Sequence, residues 1–311
     1  MKSLIKKALA AIGIRNKYDN HRFRKFSELN RKIEQHTSFS NDSSAVIVIF
    51  SKDRAMQLDA LLRSYFHFCK NTIPVYILYH ASAEEFKNGY KELISSYKDK
   101  NVEFNEEQSF RNDLVRVFDR ISASKILFLV DDLVFKNPLD LNTFTSIDTK
   151  KYVASLRMGK HLSFAYTLQK EQGLPKFNKS KKYPDMMSWS YRNSELDWAY
   201  PLSVDGHLFD FNELKIIVGE LEFKAPNSFE EALQLMNPLF ENRVGLCYEE
   251  SIIVNNPCNK VQLENNNISG EMTIEELNNK WLSGYRIEFE KYKGILNNSA
   301  HQELTLEFVK R

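Results

Sequence analysis

Short apolar runs alternate with helical patterns between residues 45 and 130. Four runs predict strands: AVIVIF (45–50), PVYILY (74–79), NVEF (101–104) and KILFLV (125–130). In the segments between them, apolar side chains recur at helical spacing, at 56–68, 83–97 and 111–121. Continuous β-branched runs are typical of strands that are buried on both faces. The alternation therefore predicts an α/β domain whose strands run largely parallel.

The first fifteen residues, MKSLIKKALAAIGIR, have a different pattern. Leu4, Ile5, Ala8, Leu9 and Ile12 share one helical face, and the lysines lie elsewhere. This pattern predicts a basic amphipathic helix. Such a helix can lie in a membrane interface, or it can dock on its own domain or on a partner, and the sequence leaves both readings open.

Composition and charge add three exclusions. Of the 311 residues, 42% are hydrophobic and 27% charged, and no apolar run approaches the ~20 residues of a membrane-spanning helix. Three scattered cysteines predict no disulfide framework and indicate a reducing compartment. Residues 1–35 carry ten Lys or Arg and three Asp or Glu, a net charge of +7; since the whole chain carries +2, the rest carries −5. A uniformly basic nucleic-acid binder is therefore not expected.

Polar clusters stand where predicted strands end or helices begin: Ser51–Arg54, Arg111–Asn112 and Asp131–Asp132. Ligands of such sheets gather outside the carboxyl ends of the strands, so we expect these clusters to share one edge. A carboxylate pair there can ligate a hard cation, although adjacent aspartates also cap helices or begin turns. The chain has no G-x-G-x-x-G or G-x-x-x-x-G-K-[ST] motif, which disfavours dinucleotide oxidoreductases and P-loop enzymes.

These features resemble the nucleotide-sugar-dependent glycosyltransferases of the GT-A fold. Residues 45–65 are similar to that family's first strand, nucleotide-contacting turn and helix, and residues 109–135 to its Arg-Asn helix and acidic strand end. The resemblance implies a Rossmann-type mixed α/β sheet flanked by helices. The N-terminal pattern adds an amphipathic helix, and a capping box at Thr273 and Glu276 before a helical pattern predicts a helical C-terminal tail. We divide the chain into a basic segment and linker (1–40), a catalytic domain (41–262, with a nucleotide half at 45–140 and an acceptor half at 141–262) and the tail (263–311).

The resemblance also implies roles for single residues. Asp132 matches the acid that binds the Mn²⁺ or Mg²⁺ ion of the donor diphosphate, and Asp131 matches an outer-sphere or ribose contact. Donor-binding positions are matched by Ser51, Asp53, Arg54 and Arg111. Val130 stands where the family's motif has its first acid. Since the last acid is the family's usual metal ligand, metal use is expected to survive this departure.

An unusual stretch at 189–211 crowds Trp189, Tyr191, Trp198 and Tyr200 around acids. Sugars stack on aromatic rings and bind carboxylates through their hydroxyls, so this stretch predicts an acceptor site; a core packed around two tryptophans is the alternative. His207 is either a third metal ligand or a core or surface histidine.

An inverting transferase needs a carboxylate that deprotonates the acceptor hydroxyl. Asp205 is the first candidate because aromatic residues surround it, and Glu249 and Glu250 are the others. A retaining enzyme needs no base at this place, and the sequence leaves the stereochemistry open.

The resulting hypothesis is a metal-assisted, hexosyltransferase-like enzyme that moves a sugar from a UDP- or GDP-sugar to a glycan or lipid-linked acceptor in surface-polysaccharide synthesis. It would be cytoplasmic, and peripheral at the inner face of the cell membrane if residues 1–35 bind there. The alternatives are a nucleotidyltransferase and a non-catalytic sugar-binding or scaffold subunit of a polysaccharide assembly complex.

Overall fold

A computed structural model describes residues 20–36, 42–258 and 272–311. The described α-helices are α1 (20–36), α2 (Ala55–Phe68), α3 (Glu84–Tyr97), α4 (Phe110–Arg120), α5 (Leu141–Thr145), α6 (Phe211–Glu220), α7 (Pro226–Leu233), α8 (Asn237–Phe240) and α9 (Ile274–Leu282). The described strands are β1 (Ala45–Lys52), β2 (Cys69–Lys70), β3 (Val75–His80), β4 (Val102–Glu106), β5 (Lys125–Val130), β6 (Leu133–Phe135), β7 (Leu139–Asp140), β8 (Tyr152–Ser155), β9 (Phe164–Ala165), β10 (Lys170–Glu171), β11 (Asn178–Lys179), β12 (Met186–Ser190), β13 (His207–Asp210), β14 (Val244–Tyr248), β15 (Ile253–Asn255), β16 (Tyr285–Ile287) and β17 (Phe308–Lys310). Single 3₁₀ turns lie at Tyr166–Leu168, Tyr191–Asn193, Leu196–Ala199, Gln234–Met236 and Phe289–Tyr292.

In this part of the chain, nine strands form one central sheet in the order β11-β12-β14-β8-β13-β5-β1-β3-β4. β5, β1, β3 and β4 are parallel, as the alternating sequence pattern predicts. β13 then runs antiparallel to both β5 and β8, which makes the sheet mixed. This architecture confirms the predicted fold class, a mixed α/β sheet flanked by helices.

Both faces of the sheet are buried, and β1 shows why its sequence is a continuous apolar run. Ile47 and Ile49 point into a cluster with side chains of α2, α3 and α9. Val46, Val48 and Phe50 point into the opposite cluster, with side chains of α1, α4, α6 and α7. A strand covered on both faces needs an apolar residue at every position rather than at every second one.

Helix α1 docks on the domain. Leu29 and Ile33 are buried in the second cluster, and Lys25 and Lys32 pair with Glu220 at 3.1 and 2.5 Å. Part of the basic N-terminal charge therefore serves a contact with the chain's own domain. The amphipathic helix predicted for residues 1–15 lies outside the described residues.

The C-terminal segment is less helical than predicted. Its helix α9 begins as the sequence indicates, because the side chain of Thr273 caps Glu276 N and the side chain of Glu276 caps Thr273 N. After α9, however, β16 and β17 form an antiparallel pair, and Asn255 forms a β-bridge with the backbone at His301. Backbone pairing with the domain stabilises this segment, which the local helical pattern does not reveal.

Within the described residues, no helix combines the length and the apolarity that crossing a bilayer requires.

Candidate functional site

A cavity of about 1110 Å³ opens at the carboxyl ends of the parallel strands. The ends of β1, β3 and β5 form one wall, where Lys52, His80 and Asp131 line it. The loop before β13 and the residues after β8 form another wall, which carries Asp205 and Arg157. Two of the three expected clusters, Ser51–Arg54 and Asp131–Asp132, therefore meet at one sheet edge and line a cavity large enough for a substrate.

The first polar group in the cavity is the acidic pair, Asp131 and Asp132, directly after β5. Arg54 Nη1 lies 3.0 Å from Asp131 Oδ1 and 2.8 Å from Asp132 Oδ2, so one guanidinium nitrogen bridges both carboxylates. Lys52 N donates to Asp131 Oδ2 at 3.0 Å, and Asn255 Nδ2 donates to Asp132 Oδ1 at 2.7 Å. Each of the four carboxylate oxygens thus accepts a hydrogen bond.

Burial and charge act against each other at the acidic pair. Burial raises the pKa of Asp131 to about 6, although the neighbouring Arg54 counteracts the shift. For Arg54, burial favours the neutral form, but the charges of Asp131 and Asp132 outweigh burial and hold its pKa above the usual value. The guanidinium is therefore a permanent cation between the two acids.

The turn that carries Arg54 is held by side chains on either side of it. Asp53 adopts a left-handed backbone conformation (φ 57°), and its carboxylate accepts hydrogen bonds from Ser82 N and Ser82 Oγ at 2.7 and 2.8 Å. Tyr90 OH accepts from Arg54 N at 3.2 Å and lies 2.6 Å from Ser51 Oγ. Ser51 and Arg54 line the cavity, whereas the carboxylate of Asp53 stabilises the turn.

The acidic pair does not fit a divalent cation in this arrangement. Mn²⁺ and Mg²⁺ need several oxygen ligands, and the oxygens of Asp131 and Asp132 already accept from Arg54, Asn255 and the Lys52 amide. In the described ranges, no group of three or more His, Cys, Asp or Glu side chains is placed to hold a metal. We therefore derive no chemical step through a metal ion.

A second polar group, the carboxylate cluster, consists of Arg157, Asp197, Asp205 and His301. His301 Nε2 lies 3.2 Å from Asp205 Oδ2, and Arg157 lies 3.8 Å from Asp205 and 3.5 Å from Asp197. No donor from the described residues contacts Asp205 Oδ1. The cluster therefore holds Oδ2 of Asp205, a residue of the cavity lining, and supplies no donor to Oδ1.

Electrostatics in the carboxylate cluster keep Asp205 ionised. Burial opposes ionisation, but His301 and Arg157 outweigh it and lower the pKa of Asp205. Burial likewise disfavours the charged form of His301, while the hydrogen bond to Asp205 raises its pKa above the usual value. At the cavity wall, Asp205 and His301 thus each favour the charged form of the other.

Glu230 approaches the cluster from α7. Its Oε1 accepts from Val204 N at 3.1 Å, and its side chain also bonds Ser203. Burial raises the pKa of Glu230 to about 7, and the charge of Asp205 adds to this effect. Glu230 therefore fixes the turn that presents Asp205.

Gly206 allows this turn. Its φ is +77°, and a Cβ there would meet Ile253 Cδ1 at 2.4 Å. Its amide donates to Phe128 O of β5, and its carbonyl accepts from Leu156 N. Only glycine combines this backbone conformation with this close approach. The turn at Gly206 thus places Asp205 directly before the start of β13.

Asn255 joins the two polar groups. Its side chain donates to Asp132, its backbone N donates to Ala300 O, and its backbone O accepts from Gln302 N. The segment that carries His301 is thereby fixed next to the acidic pair. Sequence reasoning missed Arg157, Asn255 and His301, since no motif surrounds them; only the polar run Asn255-Asn256 after an apolar strand hinted at a site.

Two predicted site residues have structural contacts instead. Arg111 donates to Leu221 O and Gly219 O at 2.6 and 2.9 Å, so it caps the C-terminal end of α6 and does not line the cavity. His207 is fully buried, its Nδ1 lies 2.9 Å from Pro201 O, and burial lowers its pKa to about 3. His207 is thus a neutral core histidine, and the prediction of a third metal ligand at this position is corrected.

Glu249 and Glu250 lie away from the cavity lining. The side chain of Glu249 is 75% exposed and pairs with Lys160 at 2.9 Å. Of the aromatic stretch, Trp189, Tyr191 and Trp198 pack in the core, where the ring centroids of the two tryptophans are 5.2 Å apart. Tyr200 is the member of this stretch that lines the cavity, so the alternative of a core packed around two tryptophans describes the other three.

Comparisons with known proteins bear on this site. No protein-family model matches the chain. Over 190 residues the sequence is 25% identical to the bifunctional glycosyltransferase pgtA of Dictyostelium discoideum, a match that takes in 55% of this chain and 24% of that protein. The chain thus spans about a quarter of the length of this relative. The similarity confirms the resemblance to glycosyltransferases.

Solved structures that are partly similar to this chain include S. aureus TarS 1-349 in complex with UDP-GlcNAc, at 13% identity and a TM-score of 0.42, covering 68% of this chain and 57% of that one. Another is the mannosyltransferase PcManGT of Pyrobaculum calidifontis in complex with GDP-Man and Mn²⁺, at 11% identity and a TM-score of 0.30, covering 50% and 52%. These TM-scores lie below 0.5, and the fold class of this chain rests on its own strand order.

Proposed function

We propose that this protein is a glycosyltransferase that moves a sugar from a nucleotide diphosphate-sugar to a hydroxyl of a glycan or lipid-linked acceptor. The observation that carries the proposal is the cavity, which joins the acidic pair at the sheet edge to the carboxylate cluster on the facing wall. One end suits a charged nucleotide donor, and the other end suits an acceptor that must lose a proton. The similarity to a bifunctional glycosyltransferase supports the same reaction class.

The donor nucleotide is assigned to the wall formed by β1, β3 and β5. Lys52, Arg54 and His80 line this wall and supply basic groups for a diphosphate. In doubly wound sheets, nucleotides bind outside the carboxyl ends of the strands, which is where these side chains lie. As in the hypothesis drawn from the sequence, the donor is a UDP- or GDP-sugar.

The chemical step is assigned to Asp205. Its free Oδ1 accepts the proton of the acceptor hydroxyl while the acceptor oxygen bonds the anomeric carbon of the donor sugar. The bond from that carbon to the diphosphate oxygen breaks, and the nucleoside diphosphate leaves with the electron pair. This in-line displacement inverts the anomeric carbon. Since the acidic pair does not fit a divalent cation, this proposed step uses none.

His301 and Arg157 support Asp205 in this role. They keep the carboxylate ionised, and His301 holds Oδ2 so that Oδ1 faces the reacting atoms. Glu230 holds the turn through Val204 and Ser203. These contacts position the base without taking its reacting oxygen.

We assign this reaction to surface-polysaccharide synthesis at the inner face of the cell membrane. The net charge of +7 over residues 1–35 supports association with anionic headgroups, at roughly 1 kcal/mol or less for each lysine near the surface. Helix α1 uses Lys25 and Lys32 for Glu220, so the membrane contact is assigned to the residues before it.

The first test is thermal unfolding of the wild-type protein with UDP and with GDP. The nucleotide that binds is then used to choose a panel of nucleotide-sugars, and each is assayed for transfer and hydrolysis. A nucleotide at about 100 times its Kd adds roughly 2.7 kcal/mol of stability. That should raise the unfolding midpoint by about 2–4 °C per kcal/mol. Transfer to an acceptor, or slow hydrolysis of one donor sugar, supports the proposal.

The other outcomes separate the alternatives. Nucleotide binding without transfer or hydrolysis for any sugar favours a non-catalytic sugar-binding subunit. Release of pyrophosphate from a nucleoside triphosphate and a sugar 1-phosphate favours a nucleotidyltransferase. If the protein binds neither nucleotide, the proposed donor site is wrong.

A further inference from the structure

Arg54 occupies the place between the two acids where a bound cation would be expected. Its Nη1 contacts Asp131 at 3.0 Å and Asp132 at 2.8 Å, and the side chains of the three residues are 8%, 6% and 12% exposed. The two ion pairs join residues 77 and 78 positions apart in sequence. This is a buried, bridged ion triad rather than an open pair of carboxylates.

A divalent cation would disturb this triad. In Asp132, Oδ1 accepts from Asn255 and Oδ2 accepts from Arg54. A metal on the remaining lone pairs of these oxygens would lie beside the charged guanidinium, so it would either repel Arg54 or displace it. Displacement would cost the buried guanidinium both of these ion pairs, which is strongly unfavourable. The triad therefore competes with metal binding.

A diphosphate next to two carboxylates still needs a compensating positive charge. A guanidinium stays protonated at any physiological pH and suits phosphate oxygens. Arg54 is fixed by the acidic pair on one side and by the turn at the end of β1 on the other, so its charge is pre-positioned. Lys52 and His80 line the same wall.

We propose that Arg54 is the resident cation of the donor site, so that a nucleoside diphosphate binds here without a divalent metal ion. This inference rests on the proposed function, because it concerns the donor of that reaction. It replaces the expectation from sequence that Asp132 ligates Mn²⁺ or Mg²⁺.

The wild-type protein provides the first test. UDP and GDP are titrated calorimetrically into the protein, once in EDTA and once in excess Mn²⁺. The affinity of the nucleotide that binds is expected to agree within about threefold between the two buffers. An increase of about tenfold or more in Mn²⁺ overturns the proposal.

The Arg54→Met variant provides the second test, with Mn²⁺ alone as the probe and electron paramagnetic resonance as the readout. Without the guanidinium the acidic pair becomes an open anionic site, so the variant is expected to bind Mn²⁺ where the wild type binds none. Adding Asp132→Asn to Arg54→Met should abolish the new site. Wild-type binding of Mn²⁺ at Asp132, lost in Asp132→Asn, overturns the proposal.

The variant's nucleotide affinity completes the comparison. Arg54→Met is expected to lose about tenfold or more in EDTA and to regain affinity in Mn²⁺. The matched control is Arg63→Met, which removes a half-buried arginine that pairs with Asp59 on α2, outside the cavity lining. Unchanged nucleotide binding by Arg54→Met in EDTA contradicts the assignment.

The two proposals fail in different ways. If neither nucleotide binds in either buffer, the proposed donor site is wrong, and Mn²⁺ resonance on the wild type and Arg54→Met still decides whether Arg54 replaces a metal. If Arg54→Met does not fold, the wild-type titrations decide alone. Binding that requires Mn²⁺ leaves the transferase proposal intact and removes the role of Arg54.

Discussion

Asn255 donates a hydrogen bond of 2.7 Å to Asp132, although 123 positions separate the two residues in the chain. The same asparagine fixes the backbone of residues 300–302, from which His301 reaches Asp205. The acidic pair and the carboxylate cluster are therefore parts of one hydrogen-bonded structure. A change at Asn255 should be felt at both ends of the cavity.

Asn255→Ala is expected to lower the free energy of unfolding by about 1–3 kcal/mol, because the buried Asp132 loses a donor. Urea unfolding measures the loss. Nucleotide affinity should fall as well, since Asp132 and its pairing with Arg54 are disturbed. Asn242→Ala, at an exposed position, serves as the control and should change stability by less than about 0.5 kcal/mol. Equal stability of the two variants would contradict this account.

Asp205→Asn should retain nucleotide affinity and lose transfer by about 10²–10⁴-fold, because an amide cannot accept the acceptor's proton. Single-turnover transfer and calorimetric nucleotide binding separate the two effects. Glu249→Gln is the matched control, since its exposed side chain lies outside the cavity lining. Unchanged turnover in Asp205→Asn would remove it as the base, and a loss in Glu249→Gln would restore that residue as a candidate.

Glu230→Gln should flatten the pH dependence of stability. The pKa of Glu230 is about 7 in the folded protein and ordinarily 4.5, so the folded state binds more protons between these values. Wild-type stability attributable to this group therefore falls as pH rises through that window. Each unit of pKa displacement corresponds to about 1.4 kcal/mol. Urea unfolding of both proteins from about pH 4 to 8, a range that brackets the two pKa values of Glu230, checks this prediction. Parallel curves of stability against pH for the two proteins would refute it.

Arg111→Met should lower stability by about 1–3 kcal/mol and leave nucleotide affinity unchanged. The reason is that Arg111 supplies donors to two carbonyls at the end of α6 and lies outside the cavity lining. Thermal unfolding and nucleotide titration on one preparation give both quantities. A tenfold loss of nucleotide affinity at unchanged stability would instead support the donor contact that the sequence resemblance implied.

Two changes near the N-terminus should separate docking from membrane binding. Leu29→Ala is expected to cost about 2–5 kcal/mol of stability, since Leu29 is 1% exposed in the core, and to leave binding to anionic liposomes unchanged. Deletion of residues 1–19 should release the protein from the liposomes and leave its stability unchanged. Liposome binding that survives the deletion would refute the proposed membrane contact.

Sequence prediction succeeded best for features that neighbouring residues encode. The four predicted strands at 45–50, 74–79, 101–104 and 125–130 correspond to β1, β3, β4 and β5. β1 and β5 were the most readable, because a strand buried on both faces leaves a continuous apolar run. The capping box at Thr273 and Glu276 was readable for the same reason, since its partners lie three residues apart. The antiparallel pair of β16 and β17 was not readable, since its strands are brief and distant in sequence.

Candidate site residues divide along the same line. Arg54 and Asp131 follow strands and line the cavity. Asp205 lines it as well, although the sequence singled it out for its aromatic neighbours and not for a strand position. Arg111 also stands at a helix start, but the packing of α4 beside α6 turns its side chain to a helix end instead. Sequence position places a residue at an edge, and packing decides which way the side chain faces.

The sequence by itself determined the α/β class, the parallel half of the sheet and the edge at which polar residues gather. These depend on the apolar period of each segment and on the direction of the strands, which neighbouring residues encode. Only the tertiary structure decided that Arg54 lies between Asp131 and Asp132, and that Asn255 and His301 complete the cavity. The reason is physical: ion pairing and burial depend on distances between segments that the fold brings together from remote parts of the chain.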